Sequence, residues 1–142
     1  MRIISHRGNL NGRSYLENHP EYIKEALQEY DVEVDVWVIN NQLFLGHDKP
    51  VYSINLDFFT QNMWIHCKNI DAVHFFKTNN NDLNWFWHEN DKLTLTNKGY
   101  IWCYPGTYLE NGVTVELEYK DLPKIMGVCT DYPHLYLSLI HI

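Results

Sequence analysis

The chain has 142 residues, a length that suits a single domain, residues 1–142, with a real core and no need of covalent staples. Eighteen acidic against eleven basic residues give a formal charge of -7, which disfavours nonspecific attraction to nucleic acid or to an anionic membrane surface. Aromatic residues make up 15% of the chain, with ten Tyr and five Trp, so large flat side chains replace part of an aliphatic core or line a pocket.

In chain order, Arg2 to Ser5 reads as a short buried strand running into His6-Arg7-Gly8, a titratable ring, a fixed cation and a flexible turn in succession. Eight histidines are scattered along the chain, so His6 taken alone reads first as an ordinary surface loop residue. After a polar loop, Pro20 suits a first helical turn that Asn18 or His19 can cap, and Ile23, Ala26, Leu27 and Tyr30 form an amphipathic stripe. The stripe leads into Val32-Glu33-Val34-Asp35-Val36-Trp37-Val38. Valines at alternate positions put Glu33, Asp35 and Trp37 together on the opposite face of a strand. Two carboxylates on one face of a buried strand repel one another, and a divalent cation between them resolves the conflict. An edge strand with one wet face would show the same alternation.

Asn40-Asn41 marks a turn, and Gln42 to Leu45 can pair back before Gly46-His47-Asp48. A short helix is expected over Ile54 to Asn62, then a strand from Met63 to Cys67 with His66 and Lys68 pointing the same way. Asn69 caps a helix through Lys77 that Asn79-Asn80-Asn81 ends, and Asn84 to Trp87 is the next strand. Leu93 to Thr96 reads as a hairpin arm, Tyr100 to Tyr104 as a strand, the stretch around Asn111-Gly112 as a small hairpin, and Ile125 to Cys129 as the final strand. Cys67, Cys103 and Cys129 sit in apolar runs without metal-ligand spacing and read as buried, reduced thiols. The first residues are too short an apolar run for a secretion signal, and no stretch approaches membrane-spanning length. A cytoplasmic protein without a membrane anchor or nucleic-acid partner is expected.

Strands alternating with helices predict a largely parallel sheet with functional groups at the carboxyl ends of its strands. His6, Glu33, Asp35, His47, His66, Lys68, His88, Glu89 and Asp131 all fall at or just past predicted strand ends. For His88, Glu89 and Asp91 a solvated charged loop is the first reading, and Asp131 serves equally as a turn former before Pro133.

The run His6-Arg7-Gly8, Glu17-Asn18, Glu33-x-Asp35 and Gly46-His47-Asp48 resembles the glycerophosphodiester phosphodiesterase family in order and spacing, with weaker likeness at His66-Cys67-Lys68 and Thr130-Asp131-Tyr132-Pro133. The resemblance implies a metal-dependent hydrolase of small glycerophosphodiester-like molecules, with His6 and His47 as the catalytic acid/base pair. It also implies metal binding by Glu33 and Asp35, and phosphate contacts from Arg7 and Lys68 with Glu17 in the same polar cluster. His66 stands where the family places a third metal-binding acid, which makes it a candidate ligand. Mg²⁺ or Ca²⁺ is the cofactor the family implies, and an imidazole ligand favours a softer ion such as Mn²⁺. A full (β/α) barrel takes about 250 residues. The expected architecture is therefore a reduced TIM-like (β/α) barrel with about six core strands and two or three helices. The rival reading is a phospholigand-binding protein that has kept the pocket and lost turnover.

Overall fold

In the computed structural model, which describes residues 1–79 and 82–137, the chain begins with β1 (Arg2–His6), passes through a polar loop to α1 (Pro20–Ala26), and returns as β2 (Asp31–Ile39) parallel to β1. His19 caps α1 by accepting a hydrogen bond from the Glu21 amide, and Pro20 occupies the first turn, where its missing N–H costs nothing. Asn40 and Asn41, at φ 51° and 63°, make the left-handed two-residue turn that folds β3 (Gln42–Leu45) antiparallel onto the end of β2. β4 (Tyr52–Ile54) pairs with β3. β5 (Met63–Cys67) is parallel to β2, and the Asn69 side chain caps α2 (Ile70–Thr78) through the Ala72 amide. There follow β6 (Asn84–Trp87), β7 (Leu93–Leu95), β8 (Ile101–Cys103), β9 (Gly112–Val115), β10 (Gly127–Thr130) and α3 (Pro133–Leu137).

These elements correct the expected reduced TIM-like (β/α) barrel. Among the described residues ten strands form one mixed sheet, and eight of them, in the order β7-β8-β9-β10-β1-β2-β5-β6, curl into a half-barrel served by three short helices. The connections explain the difference. Residues 104–111 join the parallel pair β8 and β9, too short a stretch for the helical crossover of a dozen or more residues that a (β/α) unit needs. The stretch around Asn111-Gly112, expected as an outlying hairpin, instead supplies β9, parallel to both β8 and β10, because Val113 is fully buried in the core. The helix expected over Ile54 to Asn62 is only a 3₁₀ turn at Leu56–Phe58, preceded by β4. Of the triple asparagine expected to end the second helix, Asn79 is the cap, and Asn80 and Asn81 lie outside the described residues.

The curl is visible in contacts between strands far apart in the sheet. Phe86 of β6 and Trp102 of β8 stand at opposite ends of the strand order, yet their ring centroids are 4.7 Å apart, and Trp64 of β5 is 5.5 Å from Trp102. Asn97 bridges the open seam between β6 and the β7–β8 arm: its amide donates to the Trp85 carbonyl (2.9 Å), its Oδ1 accepts from the Trp85 amide (2.7 Å), and its Nδ2 donates to the Leu83 carbonyl (2.9 Å).

Two cores result. Outside the sheet, Val32, Val34, Val36 and Val38 pack with Ile65 and with Ile23 and Ala26 of α1 and Ala72 and Phe76 of α2. Inside the curl, Ile4, Trp64, Phe86, Trp102, Val113 and Cys129 form a mostly aromatic floor. Because strand side chains alternate with period two, the residues two positions further along the same faces stand on top of that floor: His6, His66, Tyr104, Val115 and Asp131, beside Glu33 and Asp35. All three cysteines are free and buried, and burial pushes the Cys67 thiol up to about 12. Among the described residues no helix is long and apolar enough to cross a membrane.

Candidate functional site

The turn after β1 builds one wall. Arg7 adopts a left-handed backbone, φ 59°, held by its amide donating to the Glu33 carbonyl (2.9 Å) and its carbonyl accepting from the Asn18 amide (3.0 Å). Gly8 follows at φ 90°, where a Cβ would stand 2.8 Å from the Tyr22 ring. Gly46 performs a similar service on the facing wall: a Cβ there would collide with the Lys49 carbonyl, and the residue after this tight turn is His47.

His6, on the last residue of β1, places Nδ1 2.7 Å from Asp131 Oδ1. The carboxylate accepts, so Nδ1 carries a proton, and in the neutral ring Nε2 keeps its lone pair, 3.9 Å from Glu33 Oε1. Asp131 is itself buried and receives a second hydrogen bond from Asn9 Nδ2 (2.9 Å). This is a carboxylate-oriented imidazole, the arrangement by which a histidine is held in one tautomer for proton transfer.

Glu33 and Asp35 project from β2 at 3% and 1% exposure, the burial of a hydrophobic core. Their fates differ. Burial and the neighbouring Asp35 charge push the Glu33 carboxyl well above the usual range. Burial would also raise Asp35, but the facing His47 and His66 rings and the Arg7 charge outweigh it and hold that carboxyl well below its ordinary value. Asn18, left-handed at φ 66°, fixes Asp35 from both sides, accepting from its amide (3.0 Å) and donating from Nδ2 to Oδ2 (2.9 Å). His66 of β5 brings Nδ1 to 3.3 Å from Asp35 Oδ1 and 3.7 Å from Glu33 Oε2. Ligand atoms of Glu33, Asp35 and His66 all lie within 4.8 Å of one another. Glu33 Oε1 and Asp35 Oδ1 are buried without a hydrogen-bond partner among the described residues, and a cation would satisfy both. The donor set therefore fits a divalent ion.

Arg7 ties the cluster together. Nη1 donates to Glu17 Oε1 (3.0 Å), Nη2 donates to His47 Nδ1 (2.7 Å), and Nε lies 3.1 Å from Asp35 Oδ2. Burial would raise the Glu17 carboxyl, but hydrogen bonds from Arg7 and Asn9 bring it down to about 2. Glu17 is thus a buttress for Arg7, and Arg7 is largely committed to internal partners. His47 has a side chain 40% exposed at the mouth of the cleft. Lys68 lines an adjoining recess of about 300 Å³ with His47, His66, Cys67, Trp87, His88 and Glu89, beside the main cleft, and its charge opposes the upward pull on Glu33.

The main cleft, about 430 Å³, is lined on one side by His6, Arg7, Glu33, Asp35, His47 and His66 and on the other by Trp102, Tyr104, Pro105, Val115 and Leu117. All the residues singled out from the sequence meet here or next to it. Sequence reasoning left open the role of Asp131, which orients His6, and missed Asn18 as the anchor of Asp35. It also missed the His88 carbonyl, which accepts from His66 Nε2 at 2.9 Å. Asp131 lay in a Thr-Asp-Tyr-Pro stretch already singled out, but nothing local separated a turn former from a histidine partner 125 residues away. No family model, curated protein or solved structure matches the chain.

Proposed function

We propose that this protein is a divalent-metal-dependent phosphodiester hydrolase acting on small glycerophosphodiester-like molecules. The observation that supports it is the convergence, in one cleft, of the Asp131-oriented His6 with the Glu33, Asp35 and His66 donor set. The order and spacing of His6-Arg7-Gly8, Glu17-Asn18, Glu33-x-Asp35 and Gly46-His47-Asp48 resemble the glycerophosphodiester phosphodiesterases and supply the substrate class.

Glu33, Asp35 and His66 would hold the ion. When bound, it would neutralise phosphoryl charge as a Lewis acid. His6 Nε2, with its lone pair fixed by Asp131, accepts the proton of the attacking hydroxyl, and the buried Asp131 carboxylate stabilises the imidazolium that results. His47, half-exposed at the mouth, is placed to return a proton to the leaving oxygen. Arg7 and Lys68 add positive potential for the phosphate from the cleft wall and the adjoining recess. In the resembled family the attacking hydroxyl belongs to the substrate, and a cyclic phosphate is then hydrolysed. Three free, buried thiols suit a reducing compartment, and the cytoplasm is the proposed location.

The rival reading, a pocket that binds phosphoesters without turnover, draws on the engagement of His47 Nδ1 by Arg7. Incubating the protein with glycerophosphodiesters and an aryl phosphodiester, with and without Mg²⁺, Mn²⁺ and Ca²⁺, separates the two. Metal-dependent release of a phosphomonoester supports the enzyme. Saturable binding without release supports the rival.

A further inference from the structure

We infer that the ion held by Glu33, Asp35 and His66 is a first-row transition dication, of the Mn²⁺, Co²⁺ or Zn²⁺ kind, in preference to Mg²⁺ or Ca²⁺. The inference rests on the reading of this cluster as a metal centre, and it reverses the ionic preference that a carboxylate-only site would have.

His66 Nε2 is 2.9 Å from the His88 carbonyl oxygen. A carbonyl only accepts, so Nε2 carries a proton. The ring also stacks on Phe86, with centroids 5.1 Å apart and planes within 9°. Orientation is thereby set from two independent directions, and the neutral form of the ring aims its Nδ1 lone pair at Asp35 Oδ1 (3.3 Å) and Glu33 Oε2 (3.7 Å). Three electron-rich atoms facing one another in a buried space are unfavourable unless a cation stands between them. Donors bound at about 2.0–2.2 Å to one ion sit roughly 3 to 4 Å from each other, and His66 Nδ1 stands at that spacing from an oxygen of each carboxylate. An N–H donated to a backbone carbonyl behind the ligating nitrogen is also the usual outer support of a metal-bound histidine.

The rest of the cluster decides the kind of ion. Asp35 Oδ2 is taken by Asn18 and Arg7, which leaves Oδ1 for the metal. Two carboxylates and one imidazole fall short of the six to eight oxygens that Ca²⁺ takes, and Mg²⁺ gains little from a nitrogen donor. Arg7, with Nε beside Asp35, and Lys68, close enough to act on Glu33, offset part of the carboxylate charge. That weakens a hard ion bound mainly by charge more than one that also bonds to nitrogen.

The test uses the intact wild-type protein and Mn²⁺ as the probe, read by loss of the electron paramagnetic resonance signal of the free ion. Saturable binding is expected, with displacement by Zn²⁺ at concentrations below those of Mn²⁺ and displacement by Mg²⁺ or Ca²⁺ only at roughly a hundredfold excess or more. Bound Mn²⁺ should also broaden the Nδ1 resonance of His66 in protein labelled with nitrogen-15 at histidine. In His66→Glu, checked for folding by circular dichroism, the gap between Mn²⁺ and Mg²⁺ should shrink to about tenfold or less. Displacement of Mn²⁺ by Mg²⁺ at comparable concentration overturns the inference and leaves the phosphodiesterase reading standing. Absence of phosphodiester turnover in Mn²⁺-loaded protein overturns that reading and leaves the selectivity standing. If no Mn²⁺ binds below about 1 mM, there is no such metal centre, and His66 is a protonated clamp on two carboxylates.

Discussion

Midway along β2 the outer and inner faces are buried to the same degree by residues that alternate one by one, yet they are stabilised in opposite ways. Val32, Val34, Val36 and Val38, each 3% exposed or less, lie under α1 and α2. Each such valine contributes about 1.5–3 kcal/mol by leaving water. Glu33 and Asp35, at 3% and 1%, are displaced by one residue onto the concave face. There burial works against the charged form, and Asp35 keeps its charge only through His47, His66, Arg7 and Asn18. One face serves stability. The other holds unfavourable chemistry in place because the first face is strong enough to carry it.

The sharpest way to test that separation is to damage the outer core alone. Ile65→Ala, on the strand paired with β2, should cost about 2–5 kcal/mol in denaturant unfolding while Mn²⁺ affinity is retained. A parallel loss of affinity would break the distinction between the faces. On the inner side, His6→Ala, His47→Ala and Asp131→Asn should each lower phosphodiester turnover by about a hundredfold or more, about 2.7 kcal/mol of barrier, with the fold retained by circular dichroism. Undiminished turnover in His6→Ala would remove the proposed base, and in Asp131→Asn the idea that its carboxylate orients the ring.

Smaller effects sharpen the same contrast. Glu33→Gln should raise the thermal midpoint of metal-free protein, and more at pH 8 than at pH 4. The folded-state value of Glu33 lies above its ordinary 4.5, so at high pH the unfolded chain gains from an ionisation that the folded state resists, and below both values the difference vanishes. An equal gain at both pH values would show that packing, not charge, is responsible. Glu17 has the opposite sign. Its folded value of about 2 lies below the ordinary 4.5, so its contribution is present above pH 4.5 and lost as pH falls toward 2. Glu17→Gln should flatten the acid limb of the stability profile over that window, measured by urea unfolding. A profile identical to wild type would mean that the Arg7–Glu17 pair contributes nothing.

Much of the site was legible in the sequence because its parts are local. The period-two pattern of Val32 to Val38 assigns Glu33 and Asp35 to one face, Gly8 and Gly46 mark the turns beside His6 and His47, and Asn69 announces its own helix. These are properties of a few adjacent residues, set by backbone sterics and side-chain alternation. What only the tertiary structure decided depends on partners distant in the chain. The side on which Val113 pairs made β9 a central parallel strand and not a hairpin, and with it turned the expected (β/α) barrel into a curled half-barrel. Asp131 became the partner of His6, and the His88 carbonyl fixed which nitrogen His66 presents, across separations of 125 and 22 residues. No local rule reaches so far: hydrogen bonds act over about 3 Å, and which distant groups come within that range is decided by how the sheet curls.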